Sequence, residues 1–239
     1  MRTAAAVLGI MVLGGGSGYA AAHFTLPEDR SAAGRRPQAS APVTPTPTPT
    51  PTPAPSSPRT RYPIVPPKMP ALELDDIVFV GRRVTLTGEL ESSVSLEVPR
   101  GWGETIQAEG DVARFTKPGP DPRFIRVQAG FHLVETPLSR ATRARREVID
   151  SLTYENDPKF DELVSGSMTG VDGVKRSYQD FRYSYISKEQ GLKLVILRHL
   201  AFEGNPNTAV VMAVAGMPKD EKALAAVLNR ATKTVARSN

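Results

Sequence analysis

Residues 42–55 read P-V-T-P-T-P-T-P-T-P-T-P-A-P, and nothing else in the chain limits its fold so severely. Proline fixes φ and has no amide hydrogen, so this run can enter neither a helix interior nor a central strand. The remaining option is extended polyproline II, in which the run spans roughly 43 Å. Most of the 22 prolines fall between Pro27 and Pro70. Residues 27–70 are therefore read as a Pro/Thr-rich linker with no core of its own. Its threonines could also carry O-linked sugars. Residues 71–239 are left to fold, enough for one domain with a sizeable core.

Ahead of the linker, Met1-Arg2-Thr3 is followed by an uncharged, mostly apolar run from Ala4 to Ala22. Two readings of residues 1–26 stay open. The short apolar stretch, weakened by Gly14, Gly15, Gly16 and Gly18, fits a signal peptide with a small-residue exit at Ala20–Ala22. The run also continues through Leu26, and about 20 apolar residues can just cross a bilayer as a retained anchor. Either reading exports the remainder, to the outer side of the cell membrane or into the medium.

The net charge of +5 belongs to the tail. Residues 1–70 hold 7 basic and 2 acidic groups, whereas residues 71–239 hold 23 of each. A nucleic-acid-binding domain carries its basic excess on the folded part, so no nucleic-acid partner is expected. The basic tail suits a segment drawn to anionic lipid or cell wall, and equally a solubilising charged linker. With no cysteine in the chain, disulfides, thiolate metal sites, a Cys nucleophile and a lipidated cysteine are excluded.

Within the domain, Ile77–Val80 and Val84–Leu90 are expected as strands around a Gly81-Arg82-Arg83 turn, with Glu91-Ser92-Ser93 as the next turn. Val94, Leu96 and Val98 alternate with Ser95 and Glu97, which predicts a strand stopped by Pro99. Arg100-Gly101 then turns and presents Trp102, the sole tryptophan. A polar stretch follows, then strands at Val112–Thr116 and Phe124–Phe131. Thr136 and Pro137 have the types of an N-cap and a first helical residue. The helix they open would bury Leu138, Ala141, Arg145, Val148 and Leu152 and expose Arg140, Arg143 and Arg146. Residues 154–166 read as irregular, with one helical turn at 159–164. The alternation in Val174–Ile186 changes phase, which predicts a bulge near Gln179-Asp180. Leu192–Phe202 and Thr208–Gly216 are apolar on both faces and read as central strands. Gly204–Asn207 joins them. A last helix, capped by Asp220, would bury Leu224, Val227, Leu228, Ala231 and Val235. The fold class is α+β: an antiparallel sheet of about six strands with helices packed on its faces.

This order, opening on Val94, Val98, Pro99, Gly101 and Trp102, resembles the PsbP-like fold. That fold is shared by the Ran-binding Mog protein, the photosystem protein PsbP and the mycobacterial LpqN lipoproteins. The likeness continues through Val112–Thr116, Ile125–Val127 and the tyrosine-rich strand from Tyr178 to Tyr185, over about residues 84–237. Similar domains in actinobacteria look like extracytoplasmic modules, some attached to transmembrane Ser/Thr kinases. The resemblance implies a non-catalytic binding or scaffold module. The chain departs from the pattern in having neither a lipobox cysteine nor a kinase domain.

No catalytic motif stands out. His23, His132 and His199 lack partners at ligand or triad spacing, and His199 sits in an apolar strand as a structural histidine would. Ser165-Gly166-Ser167 is not a nucleophile elbow. Asp157, Asp161 and Glu162 lack the spacing of a calcium loop. No cofactor, metal or catalytic activity is expected. The candidate binding residues are Trp102 and Arg100, with Tyr183 and Tyr185 if exposed, and Arg140 and Arg143 as an anion- or partner-binding pair. The competing reading makes Trp102 a plug at one end of the core. The expected function is a binding or scaffold module held off the membrane by a proline-rich stalk. Its partner would be an envelope protein or a small envelope ligand. An envelope-polymer hydrolase and a structural component of an envelope complex are the alternatives.

Overall fold

The computed structural model describes residues 60–64, 69–87, 90–107, 109–120, 123–131 and 134–238. The expected signal or anchor segment, the Pro-Thr run and His132 lie outside the described residues. Among the described residues, no helix is long and apolar enough to cross a membrane.

The fold is α+β and its strand pairs are all antiparallel, in two sheets. The small sheet holds β1 (Phe79–Thr87), β2 (Glu91–Pro99) and β11 (Ala236–Ser238), with β2 in the middle. The large sheet has eight strands rather than about six. Its order is β3 (Gly103–Ile106), β4 (Val112–Thr116), β5 (Phe124–Ala129), β10 (Val210–Gly216), β9 (Gly191–Phe202), β8 (Lys175–Ser187) and β6 (Lys159–Phe160). Strand β7 (Val164–Thr169) also pairs with β8. As their two-sided apolar sequences predict, β9 and β10 are central and buried along nearly their whole length.

Each face of the large sheet has its own core. On one face, Phe115, Ile125, Val127, Leu200, Met212 and Val214 meet Leu86, Val94, Leu96 and Val98 of the small sheet and the buried side of helix α2 (Glu221–Thr234). The five residues predicted for that helical face are all buried. On the other face, helix α1 (Pro137–Ser151) lies over β8 and β9. There Val148 packs with Phe181, Tyr183, Tyr185, Val195 and Leu197.

These two covers explain the phase change in β8. No bulge exists at Gln179-Asp180: β8 pairs with β9 without interruption from Arg176–Phe202 to Ser187–Gly191. The hydrophobic demand changes face instead. Tyr178 packs toward the α2 side, and Phe181, Tyr183 and Tyr185 pack toward the α1 side. Several other expectations are corrected. Gly81-Arg82-Arg83 lies inside β1, and Glu91-Ser92-Ser93 inside β2. The predicted helical turn at 159–164 is β6 and the start of β7. Thr136 does cap α1, its Oγ1 accepting from the Ser139 amide at 3.3 Å. The helix is rotated from the expected face, however: Arg140 is buried and Leu138 is 55% exposed.

The predicted linker reaches the domain before residue 71. The Tyr62 amide donates to the Glu155 carbonyl at 2.8 Å, and Lys219 Nζ donates to the Met69 carbonyl at 2.6 Å. Asp220 precedes α2 but does not cap it with its side chain. Its buried carboxylate accepts from Arg123 Nε at 2.7 Å, from the Leu72 amide at 2.8 Å and from the Met217 amide at 3.0 Å. Arg123 also donates to the Pro70 carbonyl. The pair thus fastens the chain's entry to the start of α2.

Candidate functional site

The stretch Val94–Trp102 is the joint between the sheets. Strand β2 ends at Pro99, which pairs with Phe79, and β3 begins the large sheet at Gly103. Between them the Arg100 amide donates to the Val78 carbonyl at 2.7 Å, and Gly101 takes φ +80°. Glycine adopts that left-handed conformation without the Cβ penalty. The turn points Trp102 into the core shared by both sheets, where 7% of it is exposed. The plug reading describes this geometry. Arg100 is exposed on the turn itself.

Tyr183 and Tyr185 belong to the opposite face of the large sheet and are buried. The structure therefore does not bring them together with Trp102 and Arg100 as one rim. They continue an aromatic stack along β8: Phe181 and Tyr183 have centroids 5.3 Å apart, and Tyr183 and Tyr185 are 6.0 Å apart. The arginine pair on α1 is tied up locally. Arg143 donates to Glu135 Oε2 at 2.7 Å, Arg140 lies 3.6 Å from the same oxygen, and the Arg140 guanidinium sits 3.7 Å over the Phe131 ring. These contacts hold the start of α1 against the loop that enters it, which is a structural role.

A different group of side chains occupies the face that carries the tyrosines. Strands β4 and β5 alternate strictly. Ala113, Phe115, Ile125 and Val127 enter the core beneath α2, so Arg114 and Arg126 must point the other way. The register puts those two arginines directly opposite each other. Like charges in that position repel and weaken a sheet. Neither makes an ion pair among the described residues. The Arg114 guanidinium lies 3.9 Å over the Phe124 ring. The charge of Asp111 acts on Arg126, but the Asp111 carboxylate accepts from Gln128 Nε2 at 2.6 Å. Burial pulls Arg126 below its ordinary value. Burial, and then the charge of Arg126, do the same to Arg114.

Opposite Arg126 on β10 stands Ala213, flanked on that face by Val211 and Ala215, and beyond the alanines lie Leu197 and Val195 of β9. Tyr183 and Tyr185 follow on β8, with buried Lys193 opposite Tyr185. Three strand spacings separate β5 from β8, roughly 14 Å of backbone. The alanines of β10 leave room beside β5 for the long arginine side chains, while Val195 and Leu197 of β9 pack under the tyrosines. Burial pushes the Tyr185 hydroxyl up to about 12 and raises Tyr183 further, the charges of Arg114 and Arg126 offsetting this only in part. Both phenols therefore stay protonated donors at neutral pH. Arg114, Arg126, Tyr183 and Tyr185 offer guanidinium and phenol donors, and none of the four is a carboxylate. The alternation V-A-R-F-T and F-I-R-V-Q carries the signal for it in the sequence, but only the register shows that the two arginines face each other.

His199 lies on the same face, 1% exposed, with Nδ1 unpartnered among the described residues. Burial first, then the charges of Arg140 and Arg143, push its pKa down from 6.5 to about 3. The unfolded chain thus binds a proton that the folded chain refuses between those values. Stability is expected to be full above pH 6.5 and to fall as pH drops below it, by up to about 1.4 kcal/mol per unit, until about pH 3. Urea unfolding at pH 7 and pH 5 measures this, and His199→Gln should remove most of the slope.

Among the described residues no group of His, Asp and Glu is arranged to hold a metal ion. Asp161, from the predicted acidic cluster, pairs with Arg182 at 3.0 Å, and Asp157 pairs with Arg61 at 3.3 Å. A separate shallow depression of about 360 Å³ at the β8–β9 end is lined by Lys175, Phe202, Glu203 and Pro206 among others, with one charge of each sign. The chain matches no model of a known protein family, and no curated protein matches it.

Proposed function

We propose that the chain is a non-catalytic binding or scaffold module of the cell envelope, with a PsbP-like domain. An N-terminal anchor or signal segment delivers it across the membrane, and a proline-rich stalk of roughly 43 Å holds the domain away from the membrane surface. One observation carries the binding reading: the carboxylate-free, donor-rich cluster of Arg114, Arg126, Tyr183 and Tyr185 on the α1 face of the sheet. Such a set recognises an acceptor. At neutral pH it contains no carboxylate, neutral imidazole or thiolate that could serve as a general base or nucleophile. The large sheet beneath it, with helix packing on both faces, supplies a rigid platform.

The hydrolase alternative would draw on paired carboxylates sharing a cleft. Instead, buried Asp220 is held by Arg123, and Asp180 accepts from Arg198 through both oxygens at 2.7 Å. The test of the proposal is cell fractionation with sequencing of the mature N-terminus. The protein is expected in the membrane fraction with residue 1 or 2 intact, or outside the cell with a new N-terminus near His23. A cytoplasmic protein with an intact N-terminus would contradict the reading.

A further inference from the structure

We infer that the cluster on the α1 face is an anion site that takes a phosphate group. The inference rests on the binding-module reading and names the chemistry of the ligand. Arg114 and Arg126 are placed opposite one another by the β4–β5 register and are partly open to solvent. Neither is neutralised by a carboxylate at ion-pair distance among the described residues. Two guanidiniums set against each other without an ion-paired carboxylate weaken the fold, and a bound anion would supply the missing charge.

On the same face, Ala215 leads through Val195 to Tyr183, and Tyr185 follows two residues further along β8 with Lys193 opposite it. Arg126 is close enough for its charge to act on Tyr183, and Arg114 on Tyr185. Guanidinium groups bind carboxylate and phosphate in two-pronged fashion. The excess of fixed positive charge and the spread of donors on both sides of the alanines favour the doubly charged, three-oxygen group. No covalent step is involved. The phosphate is held by donated hydrogen bonds and charge alone.

The experiment is a titration of the full chain with inorganic phosphate at constant ionic strength, read by calorimetry and by thermal unfolding. Saturable binding and a rise in Tm are expected, with acetate at least tenfold weaker. Arg126→Met should bind phosphate at least tenfold more weakly while its ligand-free Tm is equal to or higher than that of the parent. Tyr185→Phe, which keeps the ring and removes one donor, should bind several-fold more weakly and guards against misfolding of the arginine variant. Vesicles of phosphatidylglycerol and of phosphatidylcholine separate the sources. Competition by the former alone identifies a lipid headgroup, and no competition identifies a soluble or polymer-borne phosphate ester. The proposal is overturned if phosphate gives no effect beyond matched sodium chloride. Acetate binding as well as phosphate, or both variants binding like the parent, overturns it equally. Fractionation is blind to phosphate, so a failure here is distinguishable from failure of the export reading.

Discussion

Asp220→Asn is expected to cost about 3–5 kcal/mol of folding stability, the typical effect of removing one partner from a buried ion pair. Arg123 and Asp220 are 1% and 0% exposed. The substitution leaves the guanidinium buried without its counter-charge and weakens acceptance from the Leu72 and Met217 amides. Arg123→Met should cost a similar amount, because it leaves the Asp220 carboxylate buried without its counter-charge and removes the bond to the Pro70 carbonyl. The pH dependence has a definite sign. Burial would raise the Asp220 pKa, but Arg123 and the two amides outweigh it, and the net shift is downward from 3.8. The contribution is therefore complete above about pH 4 and is lost only as pH falls below that value. Acid loss between pH 6.5 and 4 belongs to His199 instead, so the two variants should alter different parts of the stability–pH curve. Chemical unfolding of parent and variants across pH 2–8 measures both.

Trp102→Ala is the second large effect, about 3–5 kcal/mol by the usual cost of truncating a buried aromatic. The location sharpens the expectation. Trp102 stands where the chain passes from the small sheet to the large one, so its loss should loosen β1, β2 and β11 against the large sheet. Hydrogen exchange should report faster opening in those strands before any change at β9 or β10. A variant with parental stability and parental exchange would show that the ring does not hold the joint.

What was legible in the sequence tracks hydrophobic content. Strands β9 and β10 and helix α2 could be read because burial forced long apolar runs or a clear helical stripe. Strand β3, exposed at all four residues, gave no such signal, nor did β7, whose side chains are largely exposed. Strand β11 pairs with β2 from only three residues at the chain's end. Edge pairing of this kind is made by backbone groups, which composition does not reveal.

Buried charge was the second blind spot. Arg123, Arg140, Arg176 and Arg198 are all buried, and a charged residue reads as solvent-facing until its partner is known. Arg176 is held by Asp172 at 2.8 Å and by the Val235 carbonyl at 2.6 Å, and Arg198 by Asp180, Asn229 and Thr232. The aromatic richness of β8 marks Tyr183 and Tyr185 in the sequence. The expectation paired them with Trp102 across a sheet that in fact separates them. Their neighbours at the site are the arginines of β4 and β5, which are distant in sequence and brought near only by the strand order.

The most direct test of the account is crosslinking of intact cells with a reagent that does not cross the membrane, followed by capture of the full chain. The account predicts that the domain reacts and that one envelope component is recovered in stoichiometric amount. Recovery should fall by at least tenfold for the folded Arg114→Met/Arg126→Met variant. A domain that stays unlabelled until the cells are opened, or one whose partner is retained when both arginines are gone, would contradict it.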